Sequence, residues 1–267
     1  MPAASTEDII VARKGSSIWL TLNRPEAYNA IRPSMMDQLQ ASIDMVEDDR
    51  SIRALVITGS QDRFCAGADL KAVLASGSPD DPDRAFATFL RQVMATYSRL
   101  ERLGVPTIAA VNGLALAGGM ELMLCCDLIV LDANAKLGDG HAKFAQLPAA
   151  GNSVRLPRRI GEARTKYLMF TGDLLDAEKA LSWGLADEIA PEGRLHEAVE
   201  ALLSRITDKS PLVLERMKSL LHDGREQPLE VALRSELKMV EWHAGSHDRN
   251  EGLAAFNERR KPIYKGR

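Results

Sequence analysis

The feature that most constrains the fold is a repeated alternation. β-Prone apolar runs at residues 53–58, Thr107–Val111 and residues 128–131 are separated by stretches whose apolar residues recur at helical spacing. Met36, Leu39, Ile43 and Val46 lead toward the first run, and Ser34-Met35-Met36-Asp37 after Pro33 reads as a capping box that starts their helix. Pro82 opens a longer helix with Phe86, Leu90, Val93, Tyr97 and Leu100 on one face, which Gly104-Val105-Pro106 breaks. A third helix is expected from about Gly118 to Cys125. Strand and helix in this alternation suit a crossover α/β architecture.

Two further β-prone runs, residues 8–12 and 18–23, flank Gly15-Ser16-Ser17 and read as an opening hairpin. From about Ile160 the strand signals fade, and Gly172, Gly184, Pro191, Pro211 and Pro228 punctuate stretches that read as helical. Val213, Met217 and Leu220-Leu221, then Leu229, Leu233, Leu237 and Val240, form apolar stripes that a small helical segment cannot fully cover alone. Core packing and subunit contact both fit them.

A chain of 267 residues with 45% apolar side chains can bury a full core. Its 34 Lys+Arg against 37 Asp+Glu give no general attraction to nucleic acid or anionic membrane. Positive charge concentrates only at the tail, in Arg259, Arg260, Lys261, Lys265 and Arg267. Cys65 and the adjacent Cys125 and Cys126 are an odd set without metal-ligand spacing, which reads as reduced thiols in a cytoplasm. The opening MPAASTEDII lacks the basic and apolar regions of a signal peptide, and no apolar stretch is long enough for a membrane span.

Two glycine-containing segments follow predicted strands: Phe64-Cys65-Ala66-Gly67-Ala68-Asp69-Leu70-Lys71, and Val111-Asn112-Gly113-Leu114-Ala115-Leu116-Ala117-Gly118-Gly119-Met120-Glu121-Leu122. Small residues let a backbone approach a ligand, and N–H groups at the start of a helix are unpaired. Two such segments converging would make an anion cradle. Neither has the spacing of a nucleotide-binding loop.

In this order, about fifty residues apart, the two segments resemble those of the crotonase, or enoyl-CoA hydratase/isomerase, superfamily. Further matching points are Arg24-Pro25-Glu26-Ala27, Asn29-Ala30, Gly151 with Arg155-Leu156, Ile160-Gly161, Thr171-Gly172, Ala180 to Gly184-Leu185-Ala186, and Phe256 with residues 259–262. The resemblance implies a crotonase-type spiral of ββα turns over residues 1–200, carrying the coenzyme A site, and a helical trimerisation region over residues 201–267. Trimers of this kind often pair into hexamers. It implies an oxyanion hole made by the N–H groups of Ala68 and Gly118. Ala66, Asp69, Leu70 and Lys71 are expected to border coenzyme A, with Phe256 and Lys261 approaching the coenzyme A of a neighbouring subunit. No cofactor is expected, since coenzyme A is part of the substrate.

Glu121 matches one of the two catalytic glutamates of the family's hydratases. A carboxylate in the first turn of a helix can instead complement the helix dipole, but Met120 and Leu122 beside it favour a buried, functional group. The second glutamate's position falls in Leu137-Gly138-Asp139-Gly140-His141-Ala142 and is held by His141. Imidazole is acid or base near neutral pH, so Glu121 and His141 could still deliver water across a C=C bond. Hydration of a 2-enoyl-CoA to a 3-hydroxyacyl-CoA is therefore the leading expectation. The alternatives are thioester or retro-Claisen hydrolysis by His141 oriented through Asp139, a double-bond isomerase, and a coenzyme A thioester-binding subunit without turnover. Acyl selectivity is expected from walls such as the loop at residues 73–82. His196, His222, His243 and His247 carry no assigned role, and no metal constellation is present in the sequence.

Overall fold

The computed structural model describes residues 7–78 and 81–267. Residues 1–6 of the opening run read for a leader, and Pro79 and Asp80 of the loop expected to wall the acyl pocket, lie outside them.

An antiparallel pair, β1 (Ile9–Lys14) and β2 (Ser17–Leu22), opens the chain. Helix α1 (Pro33–Asp48) leads to β3 (Ala54–Gly59), β4 (Arg63–Cys65), α2 (Leu70–Ala75) and α3 (Pro82–Glu101). The next turn holds β5 (Thr107–Val111), β6 (Leu114–Leu116) and α4 (Gly118–Met123). Then come β7 (Leu128–Asp132), β8 (Lys136–Gly138), α5 (Arg155–Ile160) and α6 (Glu162–Thr171). The spiral closes with β9 (Leu175–Asp176), α7 (Ala177–Ser182) and β10 (Glu188–Ala190). Helices α8 (Leu195–Thr207), α9 (Pro211–Gly224), α10 (Leu229–His243) and α11 (His247–Glu258) complete the chain.

Successive turns lay one strand in a large sheet, ordered β1-β2-β3-β5-β7-β10, and one in a small sheet, ordered β4-β6-β8-β9. From β2 to β10 the large sheet is parallel, and so are β4, β6 and β8. Both faces of the central strands β3, β5 and β7 are covered, which is why these are apolar nearly throughout rather than alternating, whereas the edge strand β1 is exposed after Ile9. Leu55, Ile57, Ala109, Val111, Ile129 and Leu131 enter the main core. Ala54, Val56, Ile108, Ala110 and Val130 face the other way, against Val199, Leu202 and Leu203 of α8. Helix α8 thus runs through residue 200 and packs on the sheet.

Two sequence expectations are corrected. The capping box does not form: α1 begins at Pro33 behind Arg32, without a side-chain cap, and the Ser34 hydroxyl donates to the buried Asp8 carboxylate instead. Strands also continue past Ile160. β9 pairs antiparallel with β8 and β10 pairs parallel with β7; at two and three residues they are too short to carry a periodic signal.

Helices α9 and α10 bury no residue within the chain, and Leu229 and Leu237 are 75% and 60% exposed. The basic tail is held rather than loose: Asp248 accepts from the Ser210 hydroxyl and the N–H groups of Lys265 and Gly266, and Glu251 pairs with Arg260. Among the described residues no helix is long and apolar enough to cross a membrane, and all three cysteines are free and buried.

Candidate active site

Strands β4, β6 and β8 lie side by side in parallel, so the segments leaving their C-terminal ends meet on one side of the small sheet. Ligands of open α/β sheets collect at such ends. Ala66, Gly67 and Ala68 follow β4; Gly118 and then Glu121 follow β6; Asp139 and His141 follow β8. A cavity of about 540 Å³ includes Ala66, Ala68, Gly118, Glu121 and His141 in its lining, and Phe86, Phe89, Leu90 and Val93 of α3 give it an apolar wall.

Among the described residues, the N–H groups of Ala68 and Gly118 donate to no protein acceptor. The backbones carrying them nearly touch: a Cβ added to Gly67 would lie 3.2 Å from the Gly118 nitrogen, and one added to Gly118 would lie 3.6 Å from the Ala68 nitrogen. Gly67 holds φ +98°, a conformation open to glycine. Ala117, alone between β6 and α4, holds φ +49° and ψ −119°. Such a geometry costs an alanine on the order of 1–3 kcal/mol, and here it turns strand into helix within one residue. Gly119 lets α4 sit directly on β4, since a Cβ there would lie 2.1 Å from the Cys65 carbonyl oxygen. The buried Tyr97 hydroxyl donates to the Gly118 carbonyl at 3.1 Å and fixes the same peptide segment from α3.

Glu121 is buried, yet among the described residues only one of its oxygens is occupied by protein donors. Oε1 accepts the N–H groups of Ala150 at 2.8 Å and Asn152 at 3.2 Å. Oε2 lies 4.0 Å from His141 Nε2, too far for a hydrogen bond and close enough for one water oxygen to contact both. Burial pushes the Glu121 carboxyl above its ordinary pKa, against the two N–H bonds and the nearby imidazole. His141 Nδ1 lies 3.0 Å from Asp139 Oδ1, and the His141 backbone N–H donates to Asp139 Oδ2. Burial would lower the His141 pKa; the hydrogen bond to Asp139 and the charges of Asp139 and Glu121 outweigh it and raise the imidazole above 6.5.

A family model described as enoyl-CoA hydratase/isomerase matches residues 13–267. The chain belongs to that family. It is 35% identical over 260 residues to the 2,3-dehydroadipyl-CoA hydratase of Escherichia coli, covering 97% of this chain and 99% of that protein. To the crotonyl-CoA hydratase of Syntrophomonas wolfei it is 32% identical over 259 residues, covering 97% and 98%. A crystal structure of enoyl-CoA hydratase from Bacillus anthracis superposes with a TM-score of 0.91 at 32% identity, over 97% of this chain and all of that one. The spiral is therefore the crotonase fold of this family.

Of the residues expected near coenzyme A, Ala66, Asp69 and Leu70 line the cavity. The Asp69 carboxylate is already engaged, capping α2 through Ala72 N–H and pairing with Arg24 at 2.9 Å, and its backbone N–H and carbonyl are bonded to Ile31 and Val73. Lys71 stands exposed on α2 outside the lining, and Phe256, 82% exposed on α11, and Lys261 beyond it do not line the cavity of their own chain. Asn152 escaped the sequence reading. Its N–H reaches Glu121 and its amide reaches Asp139, but a single polar residue in a glycine loop carries no periodic signal. Its place beside Gly151, one of the matching points, was the only cue.

Proposed function

We propose that the enzyme adds water across the C=C bond of a 2-enoyl-CoA, giving a 3-hydroxyacyl-CoA. The observation that carries this is the 4.0 Å gap between Glu121 Oε2 and His141 Nε2, in the same cavity as two unpaired N–H groups. A thioester oxygen held by Ala68 and Gly118 N–H takes up the charge that develops when the C=C electron pair moves toward the carbonyl. A water between the two side chains forms its O–C bond at Cβ and gives a proton to ionised Glu121. Protonated His141 supplies its Nε2 proton to Cα, and the proton on Glu121 then returns to His141 through the next water. One base, one acid and one enolate are thus served by a pair carrying a single proton.

Turnover of a panel of enoyl-CoA and β-ketoacyl-CoA thioesters in ¹⁸O water, read by mass spectrometry, tests this reading. The label belongs on Cβ. Label in a new carboxylate would overturn it in favour of hydrolysis, the reading that the 3.0 Å Asp139–His141 contact also serves. Double-bond isomerisation is disfavoured because His141 holds the position of those enzymes' single carboxylate.

The same reading needs no cofactor beyond the coenzyme A of the substrate and fits a cytoplasmic enzyme with reduced thiols. Ala66, Asp69 and Leu70 would border coenzyme A, Lys71 at the outer edge, with Phe256 and Lys261 supplied by a neighbouring chain. In this scheme the catalytic core proposed up to residue 200 extends to the end of α8, which packs on the sheet, and α9 to α11 form the assembly region, supported by the uncovered stripe on α10. Sedimentation at micromolar concentration should show a trimer or a dimer of trimers. A monomer would remove the cross-subunit role of Phe256 and Lys261.

A further inference from the structure

Asn152 makes two bonds that lead to the two halves of the pair. Its backbone N–H donates to Glu121 Oε1 at 3.2 Å, and its side-chain amide donates to Asp139 Oδ1 at 2.7 Å. The same Asp139 oxygen lies 3.0 Å from His141 Nδ1. Asn152 and Asp139 are fully buried, so neither bond competes with bulk water. The orientation of the amide is fixed by chemistry, since turning it over would set its oxygen against the Asp139 carboxylate.

We infer that Asn152 is a positioning residue for the acid–base pair, holding Glu121 and, through Asp139, His141 at the separation that one water can bridge. The inference rests on the hydration reading and adds to it the element that sets the pair's geometry. Asp139 keeps the proton on Nδ1, so the proton exchanged with substrate is the one on Nε2. With the Asn152 amide on the same oxygen, the Asp139 carboxylate is already partly neutralised and binds that Nδ1 proton less tightly. His141 therefore gives up its Nε2 proton more readily. Among the described residues, the charged or titratable groups facing the pair are Asp139 beside His141, and Tyr97, Cys125 and Arg155 on the Glu121 side.

Three variants and two readouts test it. Asn152→Ala keeps the backbone N–H but frees the carboxylate; kcat should fall roughly 10- to 100-fold, the scale of a displaced catalytic group, with KM within about twofold. The alkaline limb of its pH profile should move up, because Asp139 holds the imidazolium more strongly. Asp139→Asn removes the charge, so the limb should move down. Asn152→Ser, shorter but still a donor, should fall between Asn152→Ala and the parent. The second readout is long-range ¹H–¹⁵N NMR of the imidazole, which needs no substrate: Nδ1–H in the parent, the same tautomer with its Nδ1 proton moved downfield in Asn152→Ala, and a mixture of tautomers in Asp139→Asn. Opposite shifts of the limb together with the tautomer change support the inference. A folded Asn152→Ala enzyme with the parent's kcat, pH profile and Nδ1 proton shift overturns it while leaving hydration intact. Parent enzyme that gives no Cβ label defeats the hydration reading instead, and the tautomer measurement still decides whether Asn152 and Asp139 hold the ring.

Discussion

Replacing Glu121 by Gln should slow water addition by about 10²–10⁴-fold, the range for a positioned acid or base, while acyl-CoA binding should persist. Because the proposed pair acts with Glu121 ionised and His141 protonated, the rate of the parent enzyme should be bell-shaped in pH. Glu121 is raised above its ordinary 4.5, so activity is lost as pH falls through a value higher than that. His141 is raised above 6.5, so activity is lost as pH climbs through a value higher than that. His141→Gln should remove the alkaline limb and reduce the rate over the same range. His141→Glu, which restores two carboxylates, should keep or raise hydration. An unchanged rate and profile in His141→Gln would leave Glu121 as the only side chain with a catalytic claim. The measurement is kcat/KM for a 2-enoyl-CoA from pH 5 to 10.

Ala68→Pro should cost about 10²–10³-fold in kcat, because proline has no N–H to offer the thioester oxygen. The neighbouring contacts, Ile31 N–H to the Gly67 carbonyl and Asp69 N–H to the Ile31 carbonyl, do not involve the nitrogen that is changed. Ala68→Ser keeps the donor and should retain turnover, which separates loss of the hydrogen bond from crowding. Gly118→Pro is less clean, since it also disturbs the start of α4 and the peptide that Tyr97 holds. An Ala68→Pro variant that melts like the parent and turns over at its rate would end the oxyanion assignment.

The central strands β3, β5 and β7 were legible because burial on both faces leaves few polar positions to blur them, and Thr107–Val111 was found to the residue. Strands β4, β6, β8, β9 and β10 were not, being two or three residues long and embedded in glycine-bearing loops. The two N–H groups, Glu121 and His141 were reached through resemblance, and the structure brings all four to one cavity. What the sequence could not disclose is the wiring among them. That Glu121 Oε1 is filled and Oε2 free depends on residues 29 and 31 positions later in the chain. Likewise, Ser34 looked like a helix cap because its spacing was right, but an Asp8 carboxylate from a distant strand-flanking segment took its hydroxyl.

The pairing of β4 with β6 gives the anion cradle a kind of ruler. Its two donors follow the ends of adjacent parallel strands, Cys65 standing opposite Ala115, so their spacing is tied to the fixed interval between strands, about 4.8 Å. No surface loop can stretch that interval. Residues 139–152, which hold His141 and the clamps on Glu121, obey no such repeat. A protein engineer could therefore rewrite that segment to change what happens to a thioester bound as proposed and leave the spacing of the two N–H groups in calibration.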